Sequence, residues 1–168
     1  MTTASANLAR GVVAPSLMFA GIVVLIVASQ WETVASVWRT WQVDSYGHGP
    51  LAGLLSLWLL WRAWPRAGLD AQPSAPGLLL LIGVLVAWLL ANLMEIQAIR
   101  QVCLFLALGS AAWAVFGWNQ GRVLLFPLLL PLIAVSIWDQ LLIPLQNLTV
   151  ALVSFGIRLT DIPAFIDG

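Results

Sequence analysis

The apolar residues of this chain fall into long runs, each of about 16–18 residues, joined by short polar segments. A helix of about that length crosses the hydrocarbon core of a bilayer and satisfies every backbone polar group within itself. The chain has 168 residues, 61% hydrophobic and 8% charged, with a mean hydropathy of +0.97, whereas a soluble domain carries about 25% charged residues. These features exclude a water-soluble globular domain. They predict an all-α polytopic membrane protein, forming a single transmembrane domain over 1–168, with about five membrane-spanning helices.

The runs occupy 11–28, 49–64, 76–93, 102–118 and 123–138. The first follows Arg10 and a short polar leader, as a secretory signal would, and Val27-Ala28-Ser29 could pass for a cleavage site. Its length and the runs that follow favour a retained signal anchor. Segment 141–160 is different, because Asn147, Ser154, Arg158 and Asp161 form one polar stripe at helical spacing among apolar faces. It reads as an interfacial helix, or as a sixth span packed by its polar side. Trp31, Trp38, Trp41, Trp61, Trp64, Trp118 and Trp138 stand at the ends of the runs, where an indole sits at headgroup depth.

Seven basic residues, all arginine, balance seven acidic ones, so nothing attracts nucleic acid. An amino terminus in the cytoplasm puts Arg10, Arg62, Arg66 and Arg122 inside and leaves Arg39 and Arg100 outside. The far side then holds a loop over 30–48, the joint at Glu95 and Arg100, and the stretch after Trp138. Cys103 is the only cysteine and His48 the only histidine, so neither an internal disulfide nor a zinc site is expected, and no cofactor is implied.

The joint Asp44-Ser45-Tyr46-Gly47-His48-Gly49-Pro50-Leu51 sets the histidine between two glycines at the mouth of the second run. The glycines permit a tight turn and Pro50 suits a first helical turn. His48 is a candidate proton carrier or carboxyl-binding group beside a helix N-terminus, or else simply caps the turn. Gly49 and Gly53, four apart, suit close internal packing. Pro127 and Pro131 predict a kink. Cys103 lies among apolar residues with no adjacent base and reads as an inert core thiol.

The 44–51 joint, followed by Leu57-Trp58-Leu59-Leu60-Trp61-Arg62, resembles the amino-terminal signature of the exosortase/archaeosortase family. Phe126-Pro127-Leu128-Leu129 with Pro131, then Pro144-Leu145-Gln146, Gly156-Ile157-Arg158, Ile162-Pro163-Ala164 and Gly168 resemble the family's middle region in the same order. The resemblance implies a bacterial inner-membrane cysteine protease or transpeptidase. Such an enzyme processes proteins with a carboxy-terminal PEP-CTERM sorting signal, in a system linked to export and exopolysaccharide production. Its partners would be those substrate proteins and the lipid bilayer. The family nucleophile lies in a Cys-Ser-Gly motif, which is absent from this sequence. The expectation is therefore an amino-terminal portion whose catalytic cysteine and arginines follow Gly168, inactive by itself. Cys103, Arg100 and Arg158 do not match the catalytic positions. His48, Gly49, Tyr46 and Asp44 are left as the candidate rim of the active site. A non-catalytic membrane scaffold or a transporter subunit is the competing reading, and the scarcity of ionisable groups within the runs counts more against the transporter.

Overall fold

The computed structural model describes residues 2–67, 71–135 and 139–159, all helical or in short connections. The end of the 123–138 run from 136, the last residue of the 141–160 segment, and the Ile162-Pro163-Ala164 and Gly168 motifs lie outside the described residues. The same holds for the side chains of Asp44 and Arg158. The helices are α1 (Thr2–Ser29), α2 (Trp31–Thr40), α3 (Gly49–Ala67), α4 (Ala75–Leu93), α5 (Gln97–Leu129) and α6 (Asp139–Leu159), with 3-10 turns at Asp44–Tyr46 and Leu130–Ala134. They divide into two units, Met1–Val135 and Ser136–Gly168. The fold class expected from the sequence, an all-α membrane protein, is the one observed.

In the first unit α5 is two antiparallel arms. Gly117 interrupts it with φ 74° and ψ 173°. A Cβ built on Gly109 would touch Leu125 at 3.3 Å and Leu129 at 3.5 Å, and one on Gly121 would meet the Ala112 carbonyl at 3.1 Å. A straight helix would hold residues 109 and 125 about 24 Å apart, so the chain folds back at Gly117. That turn needs glycine twice over: its φ is left-handed, and a side chain would strike the Gln72 carbonyl. By length and composition Ala75–Leu93 and Gln97–Ala134 are apolar enough to cross a membrane, as is the pair Val13–Ser29 and Trp31–Thr40, bent by 77°. The fold-back makes the second of these two passes.

The α4–α5 connection is tight. Glu95 adopts φ 58°, the left-handed position that usually follows a helix end, and Ile96 N–H closes on the Ala91 carbonyl at 2.9 Å. Down the pair, backbones approach closely: a Cβ on Gly77 would lie 2.6 Å from the Ala114 nitrogen. Ser74 N–H donates to the Ala114 carbonyl at 2.9 Å, and the Ser74 hydroxyl caps α4 by accepting from Gly77 N–H. Ala107, Ala111 and Ala112 are wholly buried along the first arm of α5. Small residues inside, with Leu17, Leu25, Leu51, Leu57, Leu79 and Phe126 facing outward, make the packing of a bundle solvated by lipid rather than water.

Every buried backbone acceptor in such a bundle needs a donor. Pro131 has no N–H to offer the Pro127 carbonyl one turn earlier, and the Ser56 hydroxyl of α3 donates to that carbonyl instead, at 2.7 Å. Near the opposite end from α2, Phe19, Trp64 and Phe116 join α1, α3 and α5, with ring centroids 5.4–5.9 Å apart.

The 30–48 stretch, expected as a loop, contains α2. In the second unit, Leu142, Ile143, Leu148, Val150, Leu152 and Phe155 of α6 are exposed, and the Thr149 hydroxyl donates to the Leu145 carbonyl at 2.8 Å.

Candidate functional site

One end of the first unit collects Gln30, α2, the start of α3, the α4–α5 joint and Ala134. Backbone hydrogen bonding continues through Gln30, which accepts from Val34 at 3.0 Å, so α2 is α1 redirected by 77° across the bundle end. Its inward face is polar. Thr33, Ser36 and Thr40 are buried beside Val37, while Trp31 and Trp38 face outward. Gln101 of α5, fully buried, donates from Nε2 to Ser36 Oγ at 3.1 Å and to Thr40 Oγ1 at 3.0 Å. Trp88 Nε1 of α4 donates to Thr33 Oγ1 at 3.1 Å. Three helices are thus joined by a hydrogen-bonded layer, a stronger tie than apolar contact where lipid competes for apolar surfaces.

Trp41, just after α2, sets the approach to α3. Its indole lies where a Gly49 side chain would be, and Cβ atoms on Gly53 would come within 3.2 Å of its far edge. Trp41 Nε1 donates to the Ala134 carbonyl at 3.0 Å. The Gly49/Gly53 pair therefore admits an aromatic ring, not a second helix.

Of the candidate rim, Asp44 begins a 3-10 turn that ends at Tyr46. Tyr46 is buried, with its N–H on the Val43 carbonyl at 2.9 Å, and His48 is exposed, its ring centroid 6.4 Å from that of Tyr46. The first hydrogen bond of α3 uses the His48 backbone carbonyl, which accepts from Ala52 N–H at 3.0 Å. The structure thus sets Tyr46 beside His48, seats Gly49 against Trp41, and leaves the imidazole exposed. Cys103 is elsewhere, in the apolar core with Leu104 and Phe105. Among the described residues no group of three or more His, Cys, Asp or Glu side chains comes together.

Sequence reading missed the Thr33–Ser36–Thr40–Gln101 layer and the ring seat under Trp41. A signal existed, since Thr33, Ser36, Val37 and Thr40 recur at helical spacing. It is invisible to a search for apolar periodicity because the buried face is polar.

The same end carries a cleft of about 600 Å³ in which Glu32, Ser36, Arg39, Thr40, Gln97 and Arg100 stand beside the apolar Trp31, Ala35 and Val43. Arg100 is oriented by Asn92, whose Oδ1 accepts from its Nη1 at 3.1 Å, and the Arg39 Nε donates to the Ala35 carbonyl at 3.3 Å.

No curated protein and no solved structure matches the chain. The sequence model of the transmembrane exosortase family matches residues 38–168, from the end of α2 through the His48 turn and onward. With more than three-quarters of its length in that match, the chain belongs to the transmembrane exosortase family.

Proposed function

We propose that this chain is part of a membrane cysteine protease or transpeptidase acting on proteins with a PEP-CTERM sorting signal, and that the His48 end faces the non-cytoplasmic side of a bacterial inner membrane. Family membership supports the reaction class. The observation that carries the local reading is the 44–51 turn, in which Gly49 is pinned beneath Trp41 while the neighbouring imidazole is held out at the bundle end. Fixed backbone with a free functional group suits a residue that touches substrate. The sidedness rests on arginine placement, with Arg62 and Arg122 at the opposite end.

The nucleophile in this reading is the family's Cys-Ser-Gly cysteine, which these 168 residues do not include. A thiolate attacks the scissile carbonyl, the peptide C–N bond breaks to leave a thioester and an amine that takes up a proton, and His48 orients the substrate or carries a proton at the rim. The test uses an enzyme form that includes the Cys-Ser-Gly region and a PEP-CTERM reporter. His48→Asn is expected to lower processing by about 10²-fold or more at unchanged membrane abundance. Cys103→Ser is expected to leave processing intact, since a thiol buried in apolar surroundings is no nucleophile. Normal processing in His48→Asn would return the imidazole to a turn-capping role. Loss of processing in a normally abundant Cys103→Ser protein would move the chemistry to α5.

A further inference from the structure

We propose that the cleft between α2 and the start of α5 binds the phosphodiester of a phospholipid headgroup, a role independent of the catalytic reading above. Two guanidiniums, from Arg39 and Arg100, line it together with the Gln97 amide, while the Ser36 and Thr40 hydroxyls on its floor are already committed to the Thr33 and Ser36 carbonyls. Arg100 is set in advance: Asn92 holds one terminal nitrogen at 3.1 Å, while its Nε is buried with no hydrogen-bond partner. A charged group with a buried, unsatisfied donor is costly to hold, and an anion beside the guanidinium offsets that charge.

The start of α5 adds to this. Ile96, its capping residue, supplies no side-chain hydrogen bond, so no side chain of the cap neutralises the positive end of the helix, whose first turn contributes Gln97 and Arg100 to the cleft. Two arginines against Glu32 give the lining a formal charge of +1 (2 − 1). That balance suits a monoanionic phosphodiester better than a dianionic phosphate. Trp31, on the cleft wall, and Trp38, two turns further along α2, are exposed indoles, which prefer the depth of the lipid headgroups. The anion available at that depth is the phosphodiester.

The test measures binding to the purified chain in a phosphate-free maltoside detergent, using a short-chain phosphatidylglycerol, the matching diacylglycerol, and inorganic phosphate as probes. Phosphatidylglycerol is expected to bind, and the diacylglycerol to bind at least tenfold more weakly. Arg100→Gln and Arg39→Gln are each expected to weaken phosphatidylglycerol about tenfold, and Asn92→Ala severalfold, with helical circular dichroism unchanged. Arg39 is exposed and makes only one backbone bond to its own helix, so its variant remains informative should Arg100→Gln fail to fold. Inorganic phosphate should compete only at much higher concentration. Tighter binding of inorganic phosphate than of the lipid would overturn the headgroup assignment, and undiminished lipid binding in folded Arg39→Gln protein would overturn the site.

Discussion

At the scale of single residues, the glycines separate into those the fold requires and those it tolerates. Gly83 has open space where a Cβ would go, whereas at Gly49 the Trp41 indole already fills it. Gly83→Ala is expected to stabilise the detergent-solubilised protein by about 0.5–1 kcal/mol through helix propensity. Gly49→Ala should destabilise it by about 2–3 kcal/mol, because a packed ring must move. Thermal unfolding of the two variants side by side checks this, and similar shifts would refute the ring seat. Gln30 offers a second test: both polar atoms of its side chain are buried at the α1–α2 bend without a hydrogen-bond partner. Gln30→Met, close in volume and free of unmet polar atoms, is expected to raise stability by about 1–2 kcal/mol, and a loss of that size would contradict it. The Gly49/Gly53 spacing made a close approach legible in the sequence. What approaches was not, because a groove of two glycines specifies room and not its occupant.

At the scale of elements, two features decide how the helices meet, and both rest on polar contacts that apolar patterning does not register. Pro127 and Pro131 announced irregular backbone in the fifth run, yet the repair comes from Ser56, about seventy positions earlier in the chain and on another helix. Ser56→Ala should cost about 1–2 kcal/mol by leaving the Pro127 carbonyl unpaired. In a Pro131→Ala background an N–H is again available one turn on, so the same substitution should cost about 1 kcal/mol less. Additive effects in that double-mutant cycle would sever the link between proline and serine. The α2 segment shows the complementary failure: Thr33, Ser36 and Thr40 fall in the polar stretch between two apolar runs, which reads as a loop. Trp88 and Gln101 turn those hydroxyls into helix contacts, and neither partner is near in sequence.

At the scale of the whole first unit, α1, α3, α4 and the two arms of α5 pass alternately between its two ends. Apolar runs and short joints made the class of fold legible. The return at Gly117 was not, because glycine within an apolar run is common and only its contact with Gln72 fixes the turn there. The His48 turn was visible as a motif, while its support by Trp41 and Ala134 joins segments that no local spacing connects. One consequence governs everything proposed for this end: Ser45 and Asn119, both exposed, belong to opposite ends of the first unit, and the proposed topology puts them on opposite sides of the membrane. In a Cys103→Ser background, Ser45→Cys and Asn119→Cys can be challenged in spheroplasts, cells stripped of the outer membrane, with a membrane-impermeant thiol reagent. Labelling of Ser45→Cys, with Asn119→Cys protected until the membrane is permeabilised, is the predicted result. Labelling of Asn119→Cys alone, or of both variants in sealed spheroplasts, would contradict it.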